Sequence, residues 1–76
     1  MKRYFFDLVA KQRSEYDYSG RELPTPDKAF RLAELIALDL SLEPEEPWLG
    51  WSVKVRSEDG REFFSVPVEP LHLAAA

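Results

Sequence analysis

The chain has 76 residues, with 10 lysines and arginines against 14 aspartates and glutamates, so its formal net charge is -4. This length suits one small domain, because ordinary domains run to about 100–150 residues. The acidic balance argues against a strongly basic nucleic-acid binder and against a polybasic membrane clamp. A hydrophobic content of 45% is too high for a disordered acidic tail, so we expect a thin but real core.

The absence of cysteine excludes disulfide bonds, thiolate catalysis and the usual cysteine ligands of structural zinc. It is compatible with a reducing cytoplasm. The first ten residues open with basic side chains, but Asp7 interrupts the apolar stretch and no small-residue cleavage site follows, so we expect no signal peptide. No apolar run approaches the roughly 20 residues that span a bilayer, and we predict no membrane association.

Two strands are predicted before the first proline. Residues 4–10 alternate with the period of a strand, which turns one set of side chains toward the core: Tyr4, Phe6, Leu8 and Ala10. Weaker alternation over residues 15–18 predicts a short second strand, antiparallel to the first, that stops at Ser19-Gly20. Leu23 is expected to tuck beneath the domain.

A helix is predicted from Pro26 to Leu42. Thr25 is a natural N-cap, Pro26 occupies a position that needs no N–H, and Asp27 faces the positive end of the helix dipole. The helix cannot continue far beyond Leu42, because prolines follow at positions 44 and 47. We expect the core-facing stripe of this helix to contain six residues: Ala29, Phe30, Ala33, Ile36, Ala37 and Leu40.

The second half of the chain predicts a hairpin. Residues 51–56 alternate cleanly, Asp59-Gly60 forms the turn, and residues 61–68 return with many β-formers until Pro67 limits pairing. The predicted fold is α+β with the order β-β-α-β-β: an antiparallel sheet of three or four strands with one helix packed on one face. Residues 1–76 form one domain, in which 69–76 are expected to be a loosely ordered tail.

Several short motifs run through nearly the whole chain: Arg3-Tyr4-Phe5-Phe6, Gly20-Arg21-Glu22-Leu23-Pro24, Gly50-Trp51, Asp59-Gly60-Arg61 and Val66-Pro67. With these motifs, the chain resembles a family of short uncharacterised bacterial proteins, common in alphaproteobacteria, that open with an Arg-Tyr-Phe-Phe strand. The resemblance implies a shared fold and a bacterial cytoplasmic setting. It implies no reaction and no site residues, because the family has no assigned activity.

The outer side of the predicted helix carries the most unusual pattern in the sequence. Leu35, Leu38 and Leu42 lie opposite the core-facing stripe, beside Arg31, where a monomeric surface helix should be polar. We interpret them as an interface with a second copy or another protein. The alternative is intramolecular coverage, either by the loop with Trp48 and Leu49 or by the tail with Leu71 and Leu73.

A second candidate surface is the sheet face away from the helix, where we expect Arg3, Phe5, Lys54, Arg56 and Phe63. Aromatic side chains among cations are typical of sheets that stack single-stranded bases, so a small nucleic-acid-binding protein is the alternative function. Such side chains also simply stabilise a sheet.

The acidic segment of Glu43, Glu45 and Glu46 before Trp48 has two readings: a docking site for a basic partner, or a solvated linker, which we favour. Catalysis has little support, because His72 is the single histidine and lies in the terminal segment. The acids Asp7, Asp17 and Glu22 meet if the first strands pair, but we expect no cleft around them. We predict a non-enzymatic interaction or regulatory module with no cofactor, no metal and no small-molecule substrate.

Overall fold

A computed structural model describes residues 1–45 and 47–70, except the side chains of positions 62 and 63. This part of the chain forms one helix and an antiparallel sheet, in agreement with the predicted α+β class and element order. The elements in chain order are β1 (Lys2–Val9), β2 (Ser14–Glu15), β3 (Arg21–Leu23), α1 (Pro26–Ser41), β4 (Ser52–Ser57) and β5 (Glu62–Pro67).

The sheet has five strands in the order β2-β1-β4-β5, and β3 pairs with β1 on the same edge as β2. The long β1 and β4 form its centre, with Tyr4 to Val9 opposite Ser57 to Ser52. All pairings are antiparallel, and α1 connects the β3 edge to the centre of the sheet. The strand count exceeds the predicted three or four because the expected second strand forms as two separate pieces.

The position of that second strand differs from the prediction. Pairing covers Ser14–Glu15, stops, and resumes at Arg21–Leu23, so residues 16–20 leave the β1 ladder and Gly20 is not the end of pairing. In the gap, a side chain replaces the missing strand, because Asp17 Oδ2 accepts the backbone N–H of Phe6 at 3.2 Å. The chain re-enters the ladder after Gly20, whose φ of 71° lies in the left-handed region that glycine adopts readily.

The predicted boundaries of the helix are confirmed to within one residue. Thr25 is the N-cap, and its hydroxyl accepts the N–H of Lys28 at 3.2 Å. The helix begins at Pro26 and ends at Ser41, with Leu42 as the C-cap residue that donates its N–H to the carbonyl of Asp39.

The core lies between α1 and the covered face of the sheet. Its buried hydrophobic residues are Tyr4, Phe6, Ala29, Ala33, Ala37, Val53, Val55 and Val68. Three alanines on one face of α1 let the helix backbone approach the sheet closely, and Leu23 packs half-buried at the margin, as predicted. Phe30, expected in the core, is 36% exposed and packs instead on the ring of Phe64, at a centroid distance of 5.1 Å. Phe30 lies beside the three buried alanines of α1, so it packs at the rim of the contact between the helix and the sheet.

The second half of the sheet is the predicted hairpin. Residues 58–60 form the turn, where the N–H of Gly60 donates to the carbonyl of Ser57 at 2.9 Å, and β5 lies at the sheet edge. Most of the expected tail, residues 71–76, lies outside the described residues. Within the described part of the chain, no helix combines the length and apolar character needed to cross a membrane.

Candidate functional site

The outer face of α1 exposes three leucines. Leu35, Leu38 and Leu42 are 61%, 43% and 57% exposed, and Arg31 beside them also faces solvent. One proposed cover is not in place: Trp48 and Leu49 pack against the core cluster. The other proposed cover, Leu71 and Leu73, lies outside the described residues. We call this surface, formed by Arg31, Leu35, Leu38 and Leu42, the outer helix face.

Leu38 stands between two hollows. One, of about 450 Å³, is bounded by Arg31, Glu34, Leu35 and Leu38 itself. The other, of about 230 Å³, lies between α1 and the end of β5, with Ala37, Ser41, Val66 and Pro67 among its walls. A raised apolar side chain flanked by two depressions is a shape into which the side chains of another helix can interlock.

The opposite surface, the sheet face away from α1, is organised by one ion pair. Arg56 Nε donates to Asp7 Oδ2 at 2.7 Å, and Arg56 Nη2 lies 3.4 Å from Asp7 Oδ1, so the guanidinium binds the carboxylate through two nitrogens. The Asp7 side chain is only 6% exposed. The same guanidinium stacks over the ring of Phe5, 4.5 Å from its centroid. The hydrogen bond that Arg56 donates to the Asp7 carboxylate is the main reason that the pKa of Arg56 is raised above its ordinary value.

Asp17 connects this pair to the loop that crosses the face. Its backbone N–H donates to Asp7 Oδ1 at 2.9 Å, and its carbonyl accepts Arg56 Nη2 at 3.0 Å. Burial raises the pKa of Asp17, but the amide hydrogen bonds from Gly20, Phe6 and Ser19, together with the charge of Arg56, outweigh burial and lower the pKa below its ordinary value. We call Asp7, Asp17 and Arg56 the polar network.

The other predicted members of this face have different surroundings. Arg3 donates from Nη1 to the carbonyl of Ser19 at 2.7 Å and lies 3.6 Å from the Glu22 carboxylate. Lys54 is half-buried opposite Asp7 in the ladder. Phe63 belongs to β5, but its side chain is outside the described structure. Nucleic-acid binding stays a prediction, and it is weakened because Arg3 and Arg56 already bind groups of their own chain.

Comparison with protein families places most of the chain in a known family. A family model described as a domain of unknown function (DUF6894) covers residues 3–69, which is most of the chain. The chain belongs to the DUF6894 family. No curated protein and no solved structure matched it.

The acids that sequence reasoning considered for catalysis occupy defined places in this DUF6894 domain. Asp7 and Asp17 do meet, but both are engaged in the polar network, and Glu22 lies instead beside Arg3. The lowered pKa of Asp17 keeps this carboxyl ionised, which is the opposite of what a general acid near neutral pH needs. Across residues 1–45 and 47–70, no three histidine, cysteine or acidic side chains are placed to hold a metal ion.

Sequence reasoning missed the polar network of the DUF6894 domain, although a signal was present. The alternation of β1 and β4 turns Asp7 and Arg56 to the same open face, and opposite charges on neighbouring strands commonly pair. Sequence reasoning weighed Arg56 for base stacking or sheet stabilisation and Asp7 for acid–base chemistry with Asp17 and Glu22, but it did not pair Arg56 with Asp7. A second missed feature is a pocket around Trp48 and Trp51, which brings together residues from the loop after β1, from β2 and from the segment between α1 and β4.

Proposed function

We propose that this DUF6894 domain is a non-enzymatic interaction module that associates with a second copy of itself through the outer helix face. One observation carries the proposal: three leucines on one side of α1 remain exposed. Burying a leucine contributes about 1.5–3 kcal/mol, so an interface that covers all three recovers a free energy that matters for so small a domain. Small domains commonly gain the burial they lack through association.

The spacing on α1 favours a helix-to-helix contact. Lys28, Arg31, Leu35, Leu38 and Leu42 follow one another at intervals of three and four residues, which is the seam of a helix that packs along another. The seam is basic at its start and apolar at its end. Asp39, beside the seam, and Glu43, just past the helix, add acidic charge at that same apolar end.

This charge gradient favours an antiparallel pair. When two copies of α1 cross head to tail about Leu35, Arg31 of one copy lies opposite Asp39 of the other, because each is four residues from Leu35. The same crossing places Leu42 opposite Lys28, whose aliphatic stem covers it. A parallel pair places like charges together instead. Since like-charge contacts suppress the wrong arrangement, the seam supports the antiparallel one.

Sedimentation of the full chain at a low and a high concentration tests the proposal. The wild type is expected to shift from monomer to dimer, and Leu38→Glu is expected to stay monomeric while it remains folded by circular dichroism. Tyr18→Glu is the matched control, because Tyr18 is an exposed apolar side chain, 86% exposed, outside the outer helix face. Its dimerisation should equal that of the wild type.

A charge exchange tests the orientation. Arg31→Glu and Asp39→Arg should each weaken dimerisation, and the double variant should restore it if the helices are antiparallel. A wild type that is monomeric at every concentration contradicts the proposal. If Leu71→Ser with Leu73→Ser then makes Leu38 newly accessible to solvent labelling, the cover is the chain's own tail.

We also propose an alphaproteobacterial origin and a cytoplasmic location, which rest on the resemblance of Arg3-Tyr4-Phe5-Phe6 and the other motifs to short proteins of those bacteria. Fractionation of cells that carry the natural gene, with immunodetection of the chain, checks the location. Recovery in the periplasmic or membrane fraction would contradict it.

A further inference from the structure

A pocket of about 380 Å³ lies beside the sheet, between the loop that follows β1 and the loop that precedes β4. Its walls are Arg13, Glu15, Glu43, Pro47, Trp48 and Trp51. The two indole rings meet edge to face with centroids 4.9 Å apart, and both are half-buried. A turn fixes their spacing, because the N–H of Trp51 donates to the carbonyl of Trp48 at 3.1 Å. This volume is within the range of small-ligand sites.

The chemistry of the walls favours a positive ligand. Indole is the best aromatic partner for a cation, and two carboxylates, Glu15 and Glu43, share the pocket with the rings. Glu43 is oriented toward the site, because its carboxylate accepts the indole N–H of Trp48. Ring faces with fixed carboxylates nearby are the elements with which proteins hold guanidinium and alkylammonium groups.

The pocket already contains such a group. The guanidinium of Arg13 lies over Trp51, 5.8 Å from the ring centroid, close to the outer limit of about 6 Å for this interaction. Arg13 itself is exposed and follows β1 in a loop, so its side chain is able to leave. Its position shows what chemistry the rings accept, and its distance leaves room for a closer contact.

We propose that this pocket binds an organic cation, a guanidinium or alkylammonium group, between Trp48, Trp51 and the carboxylates of Glu15 and Glu43, and that Arg13 is the resident group that the ligand displaces. The cation belongs either to a side chain of a partner protein or to a free small molecule. None of the four residues of the outer helix face lines the pocket, so binding of the cation does not require the proposed dimer.

Tryptophan emission of the full chain tests the proposal directly, because both tryptophans of the sequence line this pocket. The probes are N-acetyl-arginine amide and tetramethylammonium, and N-acetyl-citrulline amide is the neutral control of the same shape as the first. We expect saturable emission changes with the two cations and none with citrulline. A linear response, or an equal response to citrulline, overturns the proposal.

Variants of the resident cation sharpen the test. Arg13→Ala should tighten binding of the arginine probe by about two- to fivefold, because one cation–π competitor is removed. Arg13→Lys keeps a competing charge and should bind nearly as the wild type does. If Arg13→Ala weakens binding instead, Arg13 helps to hold the ligand, and the proposal that the ligand displaces Arg13 is wrong.

Glu43→Gln separates charge from structure. The glutamine carbonyl still accepts the Trp48 indole N–H, so the rings stay in place. The loss of charge should weaken binding of the arginine probe about two- to fivefold. Unchanged affinity contradicts the role of the carboxylate. A short glycine-flanked arginine peptide distinguishes the source: tighter binding than the amide probe indicates a protein side chain, and equal binding indicates a small cation.

Discussion

Two solvent-facing surfaces of the domain differ in whether their side chains have partners within the chain. On the open sheet face, charged and aromatic groups are held by partners within the chain: Arg56 by Asp7 and Phe5, and Asp17 by three backbone amides. On the outer helix face, three leucines have no such cover in the described structure. The sheet face therefore contributes to the stability of one chain, whereas the helix face is suited to a contact with another.

Residue type alone does not reveal this contrast. Cations and aromatic residues on an open sheet resemble a binding surface, yet here their hydrogen-bonding groups are used internally. Leucines on a helix resemble core residues, yet here they lie outside the core. What decides the role of a surface is whether its groups are already satisfied by the fold.

The largest expected effect concerns the partly buried ion pair of Arg56 and Asp7. Arg56→Met leaves the buried Asp7 carboxylate without its cation and should lower the free energy of unfolding by about 3 kcal/mol, measured by urea denaturation. Arg61→Met is the matched control, because it breaks a solvent-exposed contact with Asp59 and should leave the free energy of unfolding nearly unchanged. Equal losses in the two variants would mean that the sheet face is not held by the polar network.

The next effect concerns the loop that crosses the sheet face. A Cβ at Gly20 would lie 2.9 Å from Arg3 Cγ and 2.9 Å from Phe5 Cε1, in addition to the strain of a φ of 71°. We expect Gly20→Ala to cost at least about 2 kcal/mol in thermal or urea unfolding.

Gly60→Ala is its control, since Gly60 has a φ of 87° but open space around its Cβ position. It should cost only about 1 kcal/mol, the strain alone. A similar loss at both glycines would show that the loop does not pack on Arg3 and Phe5.

A smaller effect depends on pH. The pKa of Asp17 is lowered in the folded protein, so its contribution to stability is present above the ordinary value of 3.8 and is lost as the pH falls through the folded value. Asp17→Asn should therefore lose about 1–2 kcal/mol at neutral pH. The difference from the wild type should shrink in acid, as followed by urea denaturation at several pH values. A difference that is constant with pH would exclude the carboxylate charge as the cause.

The smallest effect is expected on the outer helix face. In dilute, monomeric protein, Leu35→Gln should change the free energy of unfolding by less than about 0.5 kcal/mol, because Leu35 is already exposed. Val53→Ala, at a fully buried position, should cost about 1–3 kcal/mol in the same assay. A large loss at Leu35 in the monomer would show that the chain covers its own leucines.

The sequence allowed the fold to be predicted where local chemistry decides it. Thr25, Pro26 and the later prolines limit the helix, and alternation assigns the faces of β1 and β4. The second strand was misplaced because its pairing depends on Asp17, a side chain that replaces backbone hydrogen bonds over the gap. No periodicity signals such a substitution.

The outer helix face could be predicted from the sequence, whereas the polar network and the tryptophan pocket could not. Exposure of the outer helix face follows from helical angles alone, because the opposite side of α1 must cover the sheet. The polar network and the tryptophan pocket join residues far apart in the chain, such as Asp7 with Arg56 and Arg13 with Trp51. Their assembly depends on strand register and loop path, which a single sequence does not specify.

The two borders of the sheet are poor templates for an added strand. Along β5, Val68 donates its N–H inward to Trp51 at 2.8 Å, so the ring nitrogen of Pro67 faces outward and offers no donor to an incoming strand. The register of the pairing between β4 and β5 also shifts between Val55 and Arg56, which distorts that border. At the far border, β2 and β3 are two and three residues long, too short to template another chain. Both borders of the sheet thus disfavour the addition of a strand from another chain.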